Sequence, residues 1–161
     1  MKTILAPIDF SRVSDSVVDE ATALARALEG HVVLLAVIQP PVVINEYAIM
    51  VDHMSEITAA GEKNAARQLA QLEEKVKGEF VEVESIQVVG APVPNIIEQA
   101  DKCHADYIVM GSHGHTAFYD LLVGSTTHGV LMRAKCPVII IPSAQEKTPG
   151  KRKHESRKAA V

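Results

Sequence analysis

The chain has no tryptophan, and aromatic residues make up only 4% of its 161 positions. Its core must therefore be built from Val, Ile, Leu and Ala, and binding modes that stack bases on exposed rings are disfavoured. Cysteine is scarce as well. Cys103 and Cys136 are too few for a disulfide scaffold and form no CxxC pair, so they read as small core hydrophobes rather than redox groups. The apolar runs are strand-length, well short of the roughly 20 residues that span a bilayer. The opening MKTILAPIDFS carries Asp9 and no small-residue cleavage site, so it does not read as a signal peptide. Two nucleotide motifs are missing: there is no G-x4-G-K-[ST], and the turn after the first apolar run is DFSRVSDS rather than G-x-G-x-x-G. These absences describe a soluble, cytoplasmic chain without a familiar phosphate lysine.

What is present is a foldable domain. Apolar residues are 47% and charged residues 22% of the chain, and a domain of this length buries roughly 70% of its unfolded surface. The net charge of −4 conceals an asymmetry. Residues 146–161 hold six lysines and arginines against two glutamates, or +4, which leaves residues 1–145 with ten basic and eighteen acidic side chains, or −8. The chain divides into an acidic domain, 1–145, and a basic tail, 146–161, that lacks apolar periodicity and reads as disordered.

TILAPID, HVVLLAVI (31–38), ADYIVMG (105–111) and CPVIIIP (136–142) are apolar and strand-like, while VEVESIQVV (81–89) alternates and reads as an edge. Val13, Val17, Ala21, Leu24, Ala25 and Leu28 recur at helical spacing after the candidate caps Ser11, Ser14 and Ser16, and Glu29-Gly30 ends that helix. A loop is expected over 40–56. A long helix follows, marked by Ile57, Ala60, Ala65, Leu69, Leu72 and Val76. Ile96, Ile97 and Ala100 mark a third helix, and Gly124-Ser125-Thr126 opens a fourth. This alternation predicts an α/β fold: a single-domain, doubly wound, five-stranded parallel sheet in the order 3-2-1-4-5, with helices on both faces. Ligands of such sheets sit beyond the carboxyl ends of the strands where the order reverses, here between the first and fourth strands.

Asp9 and Gly111 end those two strands. The segment GSHGHTAFYDLLVGST places Gly111, Gly114 and Gly124 as G-x2-G-x9-G-[ST]. Glycines let backbone approach a ligand, and Ser125 and Thr126 at a helix start offer N–H groups and hydroxyls to phosphate. Glycines in such loops also serve as plain turns, and spacing alone leaves both roles open. Asp9 has a second reading, as a core-facing carboxylate capping the turn at Ser11. His113, His115, His128 and His104 do not form a metal-ligand pattern. His113 or His115 could act as a general base, but no lysine lies in the loop to neutralise phosphoryl charge, so any hydrolysis should be slow.

The glycine segment, ILAPIDFS, LLAVI and CPVIIIP together resemble the universal stress protein family over residues 2–142. The resemblance implies ATP binding, with Mg²⁺ as a companion ion. Pro7 and Asp9 would border the adenosine, and Val37 would offer backbone to the adenine. Gly111, Gly114, Gly124 and Ser125 would hold ribose and phosphates, with Thr126 beside them. Thr126 and His128 depart from the apolar and acidic residues of the family pattern. An apolar strand at 136–142 is a sheet edge that needs covering, so a homodimer through it is expected, as the resemblance also implies. The leading reading is an ATP-binding stress-response regulatory module. The alternatives are a slow nucleotide hydrolase or phosphotransferase using His113 or His115, and a nucleotide-free chaperone-like scaffold. Nucleic acid and membrane are not expected partners: six tail charges give only non-specific attraction.

Overall fold

A computed structural model describes residues 1–40, 51–112 and 123–142, with backbone alone at 51–55. Five strands, β1 (Thr3–Ile8), β2 (His31–Ile38), β3 (Glu82–Val89), β4 (Tyr107–Gly111) and β5 (Val138–Ile141), alternate with four helices, α1 (Ser14–Ala27), α2 (Val51–Gly78), α3 (Pro92–Lys102) and α4 (Ser125–Leu131). The strands form one parallel sheet in the order β3-β2-β1-β4-β5. This is the doubly wound arrangement that the alternating pattern predicts. No helix among the described residues is long and apolar enough to cross a membrane.

The core lies in two layers because successive strand side chains face opposite ways. Ile4, Ala6 and Ile8 of β1 join Val32, Leu34 and Ala36 of β2 beneath α1 and α2. Leu5, Val33 and Leu35 face the other way, toward Ile96 of α3 and Val130 of α4. Each fully buried aliphatic side chain contributes roughly 1.5–3 kcal/mol, so the run of fully buried residues from Ile4 to Ala6 makes β1 the spine of both layers.

The start of α2 corrects the expected loop over 40–56, whose last six residues are helical. They contain neither Gly nor Pro, so nothing stops the helix from propagating back to Val51. Ile57 and Ala60 also fall outside the core. They are exposed, and α2 is anchored from Ala65 onward by Leu69 and Val76. The start of α1 differs from expectation as well. Val13, not a serine, occupies its N-cap, and no side chain among the described residues caps that end.

Three helices end on a left-handed residue that is not glycine: Glu29 (φ 51°), Phe80 (φ 59°) and His104 (φ 50°). After α1 the Gly30 N–H bonds the Ala25 carbonyl (2.8 Å) and the Glu29 N–H reaches the Arg26 carbonyl (3.4 Å). That is a Schellman closure with Glu29, rather than the expected glycine, in the left-handed position. Gly30 is required for another reason: a Cβ there would stand 2.3 Å from the Lys2 carbonyl oxygen, which accepts the His31 N–H at 2.8 Å and sets the β1–β2 register.

Opposite signs follow at adjacent positions. Glu29→Gly should raise stability by up to about 1 kcal/mol, since the left-handed penalty of about 1–2 kcal/mol outweighs the added chain entropy. Gly30→Ala should lower it by about 1–3 kcal/mol through overpacking. Urea midpoints at unchanged m-value check both.

Candidate functional site

The site begins with the hydrogen-bond parity of β1. The Thr3 carbonyl accepts from Asp106 N–H at 2.9 Å, on the β4 side, while the Lys2 carbonyl accepts from His31 N–H on the β2 side. The N–H and C=O of a strand residue point the same way, so odd residues of β1 bond toward β4 and even ones toward β2. Pro7 is odd and has no N–H. The β1–β2 ladder accordingly runs to Ile8↔Ala36, whereas the β1–β4 ladder stops at Leu5↔Ile108. The next β1–β4 bond would need the donor that Pro7 lacks. The sheet thus opens at its carboxyl end between the strands where the order reverses, as the topology predicts for a ligand crevice.

On the β2 side of this opening lies a cleft of about 190 Å³, lined by Asp9, Phe10, Val37, Gln39 and, from α2, Gly61, Asn64 and Gln68. Asp9 and Val37, both expected site residues, meet here. Asp9 is exposed at the lip rather than core-facing. Its Oδ1 accepts the Ser11 N–H (3.0 Å) and the Ser14 hydroxyl (3.2 Å), which confirms its role as a turn-capping carboxylate. Between them Phe10 sits at φ 60°, a left-handed conformation that costs about 1–2 kcal/mol and sharpens the exit from β1. Ser11 does not cap α1, and its buried hydroxyl oxygen has no hydrogen-bond partner among the described residues.

On the β4 side, the Gly124 N–H donates to the Ser112 carbonyl (2.7 Å), and the Thr127 hydroxyl donates to the Gly111 carbonyl (2.8 Å). These two bonds close the ends of the glycine segment onto the end of β4. Gly124 is the N-cap of α4 at φ −66°, ψ 160°, open to any residue, and no side chain among the described residues caps that end. Ser125 is exposed and Thr126 half-buried. With only seven residues, α4 has a small macrodipole, so its anion affinity would rest on backbone N–H groups. Gly114, His113 and His115 lie outside the described residues. His128 and His104 are exposed, and no three His, Cys, Asp or Glu residues converge for a metal among the described residues.

Sequence reasoning missed Ser112 and Thr127, both buried, and the amides Asn64 and Gln68. The amides follow one another at i,i+4 on a helix otherwise rich in Ala, Glu and Lys, a spacing visible in the chain but unremarkable without the cleft. Cys103 and Cys136 are half-buried on the α3–α4 side of the sheet, and burial pushes both thiols up. That depletes the reactive thiolate and fits the hydrophobe reading.

Comparison with known proteins agrees with this architecture. Residues 1–142 match the universal stress protein family profile. The chain is 33% identical over 143 residues to universal stress protein A homolog 1 of Coxiella burnetii, covering 87% of this chain and 95% of that protein. It is 25% identical over 152 residues to universal stress protein MJ0577 of Methanocaldococcus jannaschii, covering 87% and 94%. The solved structure of MJ0577 superposes with a TM-score of 0.78 over 90% of this chain and 98% of that one. A universal stress protein solved in complex with cAMP superposes at 0.66, with 25% identity and coverage of 88% and 96%. By its sequence and by its fold, the chain belongs to the universal stress protein family.

Proposed function

We propose that the protein is an ATP-binding regulatory module whose nucleotide lies across the carboxyl end of β1. The observation that carries this reading is the gap that Pro7 opens between β1 and β4, flanked by the Asp9–Val37 cleft and by the Gly111 and Gly124 backbone. The adenosine would occupy the cleft, with Val37 backbone toward the adenine and Pro7 and Asp9 along the nucleoside. Asn64 and Gln68 add amide donors and acceptors on the α2 wall. The phosphates would run toward Gly111, Gly124, Ser125 and Thr126, with Gly114 in the segment between. The family relative solved with cAMP, an adenine nucleotide, supports the ligand class. Mg²⁺ would accompany the phosphates, taking its ligands mainly from them and from water. Asp9 is the one carboxylate among the described residues of the cleft.

The same chemistry favours binding over turnover. No lysine or arginine lines the cleft among its described residues, and phosphoryl transfer needs its developing charge neutralised. Adenine nucleotide should co-purify with the protein, and calorimetry should show ATP binding that Gly114→Val abolishes while circular dichroism stays native. A variant binding ATP as the parent does would remove the glycine segment from the site. Steady-state ATP turnover should be slow and little changed by His113→Ala or His115→Ala; a large histidine-dependent rate would make the protein an enzyme instead.

The module would act as a homodimer through β5. All four of its residues, Val138–Ile141, are half-exposed and aliphatic, whereas the opposite edge strand carries exposed Glu82 and Glu84. Exposed charge discourages edge pairing and apolar side chains invite it. Pro137 and Ile141 carbonyls bond β4, so the Val138 and Ile140 N–H groups face outward. Ile140→Pro deletes an outward donor while sparing the β4 ladder. Sedimentation should show a dimer for the parent and a folded monomer for Ile140→Pro.

A further inference from the structure

The α2 wall of the cleft differs from the rest of its helix. Gly61, Asn64, Ala65 and Gln68 fall at i, i+3, i+4 and i+7, one stripe of α2, and all four line the cleft. Asn64 is exposed at the rim and Gln68 is half-buried. The Asn64 side-chain oxygen accepts an Arg67 guanidinium N–H at 3.1 Å, whereas Gln68 makes no hydrogen bond to another described residue. Gln68 therefore brings an amide donor and an amide acceptor to the cleft uncommitted. A Cβ at Gly61 would meet Ile38 Cγ2 at an ordinary 3.7 Å, so packing among the described residues does not demand glycine, the poorest helix former after proline. The space its missing side chain leaves is part of the cleft.

β2 adds an acceptor of fixed direction. The Ile38 carbonyl accepts the Gly90 N–H at 2.9 Å on the β3 side, so the backbone of its neighbour Val37 faces β1. The β1–β2 ladder ends at Ile8↔Ala36, and the chain turns away from β2 at Phe10, φ 60°. The Val37 carbonyl thus opens past the end of β1 into the cleft, while the Val37 side chain packs on the opposite layer with Leu35 and Ile96.

We infer that Gln68 selects the base: its side-chain amide pairs with the N6 amino group and N7 of adenine, while the Val37 carbonyl takes the second N6 hydrogen. The inference rests on the nucleotide reading given above. An amide sets one acceptor beside one donor, the complement of adenine's N6–H and N7, and the same pairing reads adenine in duplex DNA. Hypoxanthine and guanine present O6 beside N7, two acceptors in place of a donor and an acceptor. The Gln68 amide could turn its N–H group toward O6, but a strand carbonyl cannot turn. A keto purine therefore sets its O6 against the Val37 oxygen and leaves that carbonyl without a donor. Rejection comes from unmatched acceptors rather than from shape. Gly61 supplies the room for the purine edge to reach Gln68.

The test uses the full chain, Gln68→Leu and Gly61→Leu, each checked for an unchanged fold by circular dichroism. Calorimetry measures ATP, ITP and 7-deaza-ATP, which share one triphosphate and differ only at the base. The parent should bind ATP at least about tenfold more tightly than ITP or 7-deaza-ATP. Gln68→Leu should weaken ATP about tenfold, leave 7-deaza-ATP nearly unchanged, and so erase the preference for N7. Gly61→Leu fills the cleft and should abolish binding of all three. Equal loss of all three nucleotides in Gln68→Leu, or a preference for N7 that survives it, overturns the assignment of Gln68 while ATP binding by the parent keeps the nucleotide reading intact. ATP binding by Gly61→Leu at the parent's affinity would move the base away from this stripe and overturn the assignment as well. If the parent binds none of the three, both readings fall.

Discussion

A missing hydrogen-bond donor in the central strand organises this molecule. β1 is bonded on both sides and buried on both faces, so each of its backbone groups is committed by parity to β2 or to β4. Pro7 cannot meet its commitment to β4. The consequence is confined to the carboxyl end of the sheet: the β2 ladder follows β1 to Ile8, while the β4 ladder ends at Leu5. A proline inside a central strand is ordinarily a defect. At a reversal of strand order it widens the one place where a doubly wound sheet can admit a ligand.

The surroundings of that opening are built from local backbone geometry rather than from charge. Phe10 takes a left-handed turn, Asp9 ties the turn to Ser11 and Ser14, and Ser112 and Gly111 hold the start of α4 through Gly124 and Thr127. An acidic domain can accept an anion only if that anion meets N–H groups instead of carboxylates, and both walls of the crevice supply backbone. The same logic separates the two sheet edges. β3 protects itself with Glu82 and Glu84, while β5 presents four aliphatic residues. One edge is closed to partners by its own side chains and the other is not.

The helix ends teach a different lesson about strain. Glu29, Phe80 and His104 each occupy a conformation that glycine would hold more cheaply, and each precedes a strand or the bend into one. At α1 the glycine stands one residue later, where the Lys2 carbonyl leaves no room for a Cβ. Two demands on neighbouring residues compete, and close packing of β1 against the start of β2 takes the glycine. The penalty at Glu29 is about 1–2 kcal/mol, whereas a Cβ clash at 2.3 Å would displace the register of the sheet's central pair.

Periodicity in the chain determined the elements and the sheet order. Aliphatic runs long enough for doubly buried strands, alternating with helical spacings, admit few topologies once crossovers must be right-handed. It also pointed to the ends of β1 and β4 and so to Asp9, Gly111 and Gly124, because strand ends and glycines are visible as local signals, whereas Val37 came only with the resemblance to the family. Only the tertiary structure decided which side of β1 Pro7 disables, since parity is set by the partners and not by the strand. It alone brought Asn64 and Gln68 of α2 to the cleft, closed Gly111 and Ser112 onto Thr127 and Gly124, and exposed Ile57 while burying Leu69. Those contacts join residues far apart in the chain, and no local pattern encodes a long-range contact until packing puts its two halves together.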